Sequence, residues 1–213
     1  MTEAEVISRA LQMISEEESG YTECFFKSNE LDMENLVEWI HRDDDGEWQV
    51  YFRLKGEKYF FLVLVNEDGT WKEGRQIPFA NVTFCVSSTT MFPEEITALL
   101  GMRPSTSRRM GDPCKNLSGT YAFSDWSLQP DLPKPAWFED KLKCLLHQLL
   151  PLAPILKANS KSFDYGISVA YYDWFVLTGA AIGWGFDKED TQMLAELGAD
   201  FDFSIYPSSD NRD

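Results

Sequence analysis

The stretch Val82–Gly111, VTFCVSSTTMFPEEITALLGMRPSTSRRMG, constrains the fold more than any other part of the chain. It reads as a strand (Val82 to Ser87), a short punctuated helix and a basic turn. Pro93 takes the favoured first helical position, Glu94 and Glu95 complement the positive helix start, and Gly101 closes the end. Ile96, Leu99 and Leu100 supply the stripe that a core must cover. The same plan returns at Phe186–Tyr206. There Asp187 caps a helix, Asp190 lies in its first turn, Gly198 stops it, and a strand follows with Phe201, Phe203 and Ile205 on one face. Two such units imply an α+β domain in which helices pack on one face of an antiparallel sheet. Neither unit holds a chemically reactive group.

Between them a strand is expected over Thr120–Leu128, carrying Trp126. The proline-spaced segment Pro130, Pro133, Pro135 then leads into the longest helix, Trp137–Leu150. Phe138, Leu142, Leu145, Leu146 and Leu149 make its apolar face, and Pro151 and Pro154 end or kink it. Two strands follow, Asp164–Asp173 and Trp174–Trp184. The order β-α-β-α-β-β-α-β is close to a ferredoxin-like sandwich with one helix and one strand added. This domain covers residues 81–207, and residues 208–213 form a frayed tail.

Residues 1–80 read as a small α+β unit, a helix plus a β-meander, with its boundary near Pro78–Asn81. The helix covers residues 3–17, with Ala4, Ile7, Ala10, Leu11 and Ile14 on one face, and Gly20 ends it. Tyr21–Phe26 suits a strand. Leu31–Arg42 fits a helix, through Leu36, Trp39 and Ile40, or a strand. The turn Asp43–Gly46 precedes two antiparallel strands, Trp48–Leu54 and Tyr59–Val65, joined tightly at Lys55–Lys58. Asn66–Gly69 turns the chain again, and Trp71–Phe79 adds an edge strand broken by Pro78. No flexible linker follows, so the two parts are expected to pack together.

Net charge is −16, and residues 1–80 carry −10 of it. That field repels phosphate backbones, which disfavours nucleic acid, and it speeds encounter with a basic protein. No apolar run approaches the roughly 20 residues of a membrane helix, so no membrane association is expected. The N-terminus lacks the basic start and apolar stretch of a signal peptide, so a cytoplasmic location is expected. Cys24, Cys85, Cys114 and Cys144 include no CxxC pair and read as free, mostly buried thiols. His41 and His147 are isolated, so no metal site is expected. Gly183-Trp184-Gly185 lacks the rest of a dinucleotide loop, and P-loop, GxSxG and HExxH motifs are missing, so neither a cofactor nor an enzyme is expected.

Two groups of residues are candidates for binding. In an acidic protein the segment Arg103–Arg109 is the one cationic cluster. Arg103, Arg108 and Arg109, with Trp126, are positioned to hold an anionic ligand through guanidinium forks. The competing reading is an ion-paired loop tied to Glu94, Glu95 or Asp112, with Trp126 as a core anchor. The second group is the acidic turn Asp43, Asp44, Asp45 and Glu47 ahead of Trp48, a surface for a basic partner. Exposed aromatics such as Trp39, Trp48 or Trp71 would anchor that contact.

The run FPEEITALLGMRPSTSRRMG, the downstream Trp126-Ser127 pair and the closing LAELGADFDFSIY resemble the bacterial domain of unknown function 4279 family over about residues 81–207. Ile96, Leu100, Gly101, Pro104, Gly111, Trp126, Leu194, Leu197, Gly198 and Tyr206 carry the resemblance, and the first 80 residues fall outside it. The resemblance implies an α+β fold and brings no catalytic residues. It implies accessory or immunity-type proteins of bacterial toxin systems. The expected function is therefore non-enzymatic: an immunity-type protein that neutralises a toxin through its acidic surface, with a basic toxin domain as the expected partner. The alternative is a small-molecule binding or sensing module with its pocket near Arg103, Arg108 and Trp126.

Overall fold

The computed structural model describes residues 1–16, 20–114, 118–132, 136–173 and 185–207. The N-terminal sheet is an antiparallel meander of β1 (Val37–Arg42), β2 (Trp48–Arg53), β3 (Phe60–Val65) and β4 (Trp71–Ile77), in that spatial order. Strand β3, FFLVLV, contains no polar residue because both of its faces are covered, and all six residues are buried. One face presents Phe61, Val63 and Val65, beside Val50 and Phe52. It meets Val6, Ala10 and Met13 of α1 (Glu3–Glu16) and Phe25 of α2 (Gly20–Phe26). The other face presents Phe60, Leu62 and Leu64, with Tyr51 and Ile77, and packs with Trp39, Phe79 and Trp137.

Three N-terminal expectations are corrected. Tyr21–Phe26 is helical, because Thr22 and Phe25 are both buried at a spacing of three, and Phe25 reaches Phe61 at 4.9 Å between ring centroids. Packing here overrides the strand preference of aromatic residues. Gly20 is the first residue of α2 rather than a stop for the first helix; α1 is described over Glu3–Glu16, and residues 17–19 lie outside the described residues. The stripe of α1 is also rotated: Val6, Ala10 and Met13 are buried, Ile7, Leu11 and Ile14 flank them, and Ala4 is exposed. Within Leu31–Arg42 the strand alternative holds over Val37–Arg42, which closes the meander against β2.

Among the described residues the C-terminal sheet has five strands: β5 (Phe79–Ser88), β6 (Thr106–Arg108), β7 (Ser124–Leu128), β8 (Asp164–Asp173) and β9 (Asp200–Pro207). Their spatial order is β6-β7-β5-β8-β9. Four helices cover one face: α3 (Pro93–Leu100), α4 (Phe138–Leu149), α5 (Ala153–Ala158) and α6 (Lys188–Leu197). Strand alternation decides which face that is. Val82, Phe84 and Val86 of β5, Trp126 and Leu128 of β7, and Ile167 and Val169 of β8 point into the helical layer. The expected face of α4 is buried at Phe138, Leu142, Leu145, Leu146 and Leu149. Helix α4 ends at Leu149, just ahead of Pro151, which is one of the two outcomes expected of these prolines. A 3-10 turn spans Leu150–Leu152, and Pro154 lies in the first turn of α5, where a missing N–H costs little.

The class is the expected α+β. The connectivity departs from a plain ferredoxin-like arrangement. Strands β8 and β9 are parallel neighbours on either side of α6 in sequence, β5 is antiparallel to both of its neighbours, and β6 adds an edge. The expected strand Trp174–Trp184 and the tail 208–213 lie outside the described residues.

The two sheets meet where Pro78 separates β4 from β5. Buried Lys141 of α4 donates to the Ala80 carbonyl at 2.8 Å and lies 4.8 Å over the Phe79 ring, while the Arg75 guanidinium lies 5.4 Å over Trp137. Among the described residues no helix is long and apolar enough to cross a membrane. The four cysteines are free, with Cys24 exposed and the others half-buried.

Candidate functional site

The sequence separates the turns Asp43–Glu47 and Asn66–Thr70, but the meander joins them. Strand β2 pairs Trp48 with Val65, and β3 pairs Val65 with Trp71, so both turns project from one end of the sheet. That end gathers Asp43, Asp44, Asp45, Glu47, Glu67 and Asp68 around two cations. Arg42 is ion-paired with Glu67 and lies 5.8 Å over Trp48, and Lys72 is ion-paired with Glu47. Glu67 and Asp68 were not expected here. Their turn is legible in NEDG, but its position beside DDDG follows only from the three-strand register.

Asp43 builds the turn as much as it decorates it. Its Oδ1 accepts the N–H groups of Asp45 at 3.1 Å and Glu47 at 2.9 Å, and Gly46 supplies the positive φ of 86° that the reversal needs. Partial burial works to raise the Asp43 pKa. Hydrogen bonds from the Glu47 N–H, the Gln49 side chain and the Asp45 N–H outweigh it, so the pKa is lowered. Asp44 and Asp45 are exposed, and their carboxylates have no hydrogen-bond or ion-pair partner among the described residues. Trp39, Trp48 and Trp71 are half-buried and pack onto the sheet's two cores, which corrects the expectation that they are exposed.

The basic segment resolves differently. Thr106–Arg108 is the short edge strand β6, not a loop. Arg108 faces its cross-strand partner Asp125, with an ion pair at 2.6 Å, and its guanidinium lies 5.4 Å over Tyr121. Arg109 pairs with Glu94 at 3.0 Å and lies 3.8 Å over the Phe92 ring. The ion-paired reading therefore holds, with Asp125 as the partner that sequence spacing did not indicate.

Beside these pairs lies a cleft of about 740 Å³. Its walls come from the start of α3 (Pro93, Glu94), from β6, and from a hairpin excursion that carries Asp112, Cys114 and Tyr121. Backbone bonds from Gly111 N–H to the Tyr121 carbonyl (2.9 Å) and from Tyr121 N–H to the Asp112 carbonyl (3.0 Å) hold the excursion. Arg108 and Arg109 line the cleft, which lies beside β6 and the start of α3 rather than between the sheet and the long helix α4. Arg103 is exposed outside its lining, and Trp126 is fully buried on the helical side, donating from Nε1 to Thr97 Oγ1 at 3.0 Å. Trp126 is thus a core anchor. Two lining residues are tied to the neighbouring strand β5: Asp125 accepts from Ser87 Oγ at 3.1 Å, and Ser127 sits beside Cys85, whose thiol pKa is raised by burial. A thiol shifted in that direction is a poor nucleophile.

A family model described as "Domain of unknown function (DUF4279)" matches residues 78–208, and the N-terminal sheet, which ends at Ile77, lies outside it. No curated protein and no solved structure matches the chain. The match covers more than half of the sequence, so the chain belongs to that family.

Proposed function

We propose that this member of the DUF4279 family is a non-catalytic binding protein whose acidic N-terminal sheet end engages a basic protein partner. The observation that carries the reading is the convergence of two acidic turns on one end of the meander, with the carboxylates of Asp44 and Asp45 exposed. Neutralisation of a basic toxin domain by an immunity-type protein is the specific form of this reading. The net charge of −16 supports it, because long-range attraction accelerates association before short-range contacts form.

The test is capture of host proteins by the wild-type chain and by an Asp44→Lys/Asp45→Lys variant, at low and high salt. Asp43 is left in place because it forms the turn. A basic protein held by the wild type, released by salt and lost with the variant supports the reading. Identical protein sets from both chains remove this surface from consideration.

A second reading, a ligand-binding module, is favoured by the cleft beside Arg108 and Arg109. Its size falls within the roughly 300–1,000 Å³ of ligand pockets.

A further inference from the structure

The cleft is lined by Thr106, Ser107 and Arg108, three consecutive residues of β6. Successive side chains of a strand point to opposite faces, so a cavity that touches all three, with Asp125 and Ser127 of β7 beside them, passes over one face of the β6–β7 pair and round the outer edge of β6. Strand β6 ends the sheet: β7 takes one edge, and among the described residues no strand takes the other. An edge of this kind presents backbone N–H and C=O groups that an extended peptide completes as an added strand. We propose that the cleft binds an extended peptide segment that pairs with β6 and carries a basic side chain. This rests on the reading of the cleft as a ligand site and is independent of the acidic sheet end.

The charge of the lining selects the ligand class. Arg108 and Arg109 are each neutralised by a carboxylate, Asp125 and Glu94. Asp112 lines the same cleft, and its carboxylate has no hydrogen-bond or ion-pair partner among the described residues. Among the described residues of the lining, three carboxylates stand against two guanidinium groups, a net negative balance that disfavours phosphate or another polyanion and favours a lysine or arginine beside Asp112. The guanidinium groups, pinned over Tyr121 and Phe92, act as rigid walls. The three residues of β6 span roughly 10 Å, which sets the paired length at three to four peptide residues.

The test titrates the intact protein, followed by backbone amide NMR shifts, with the pentapeptide acetyl-Thr-Val-Lys-Val-Thr-amide. Companion probes are the same peptide with glutamate for lysine, two versions N-methylated on alternate amides, and lysine amide alone. The lysine peptide is expected to shift the amides of Thr106–Arg108, Asp112 and Tyr121. It should bind at least about tenfold more tightly than the glutamate peptide, a difference of about 1.4 kcal/mol. Asp112→Asn should shrink that ratio, and only one of the two N-methylated forms should retain binding. Equal binding of both N-methylated forms overturns strand pairing. Shifts with lysine amide but not with the peptide also overturn it, while leaving the cleft as a ligand site. No shift with any probe overturns both readings.

Discussion

Trp126 offers the sharpest check on how the C-terminal layer is held. Its indole is fully buried between β5 and α3, with Phe84 at 6.3 Å in an edge-on arrangement and Nε1 bonded to Thr97 Oγ1 at 3.0 Å. Truncation of a buried tryptophan to alanine costs about 3–5 kcal/mol, from lost transfer energy and the cavity left behind. For a chain of this size that corresponds to a fall of roughly 6–20 °C in Tm. The hydrogen bond is separable from the packing. Thr97→Val strands a buried indole N–H and should cost about 1–3 kcal/mol, whereas Trp126→Phe removes the donor itself. With both partners gone no group is left unsatisfied, so the double variant should be more stable than the two single losses predict, by about 0.5–1.5 kcal/mol. Urea unfolding, read by midpoint at unchanged slope, measures the four variants against the wild type. A Trp126→Ala loss below about 1 kcal/mol would refute the anchor reading, since truncation of a buried aromatic to alanine costs about 3–5 kcal/mol. Additive single losses would refute the hydrogen bond.

Two further outcomes follow from backbone and cap geometry. A Cβ placed at Gly166 would lie 2.9 Å from the Asp200 carbonyl oxygen, a backbone atom of the parallel partner strand, so Gly166→Ala should push β9 away from β8 at a cost of about 1–3 kcal/mol. Amide exchange should quicken along Asp200–Pro207 and stay unchanged in β2 and β3; protection retained in β9 would contradict the close approach. At the start of α6 the Asp187 carboxylate accepts the Asp190 N–H at 2.8 Å, and that bond, with Lys143 nearby, holds its pKa below the ordinary value. A lowered folded pKa contributes stability above the unfolded value of about 4 and loses it as pH falls further. Asp187→Ala should therefore lower Tm at pH 7, with a gap from wild type that closes below pH about 4. A gap that widens on acidification would reverse the sign and exclude this mechanism.

Much of the fold was legible because local signals and burial agree in the C-terminal layer. The α4 face Phe138, Leu142, Leu145, Leu146 and Leu149 has a helical period, and the same residues are the buried ones. Pro93 and Gly101 bound α3 in the structure as in the sequence. Legibility failed where a side chain's fate was decided by distant partners. Phe25 looks like a strand residue until Phe61 and Tyr59 are placed beside it. The parallel pairing of β8 with β9 leaves no mark in either strand alone, because alternation defines faces but not neighbours.

The same limit separates the two candidate sites, and their charges make them distinguishable. At the acidic end, Asp44 and Asp45 became candidates from local sequence, and the meander added Glu67 and Asp68 by register. Exposed carboxylates of this kind act at long range, so binding there must weaken as salt shortens the screening distance to about 10 Å at 0.1 M. In the cleft the arginines that first drew notice are spent on Asp125 and Glu94, and what remains available is a strand edge and one carboxylate. Backbone pairing acts at contact distance and is little screened. A partner that leaves with modest salt therefore belongs to the sheet end, and one that persists and is sensitive to N-methylation belongs to β6.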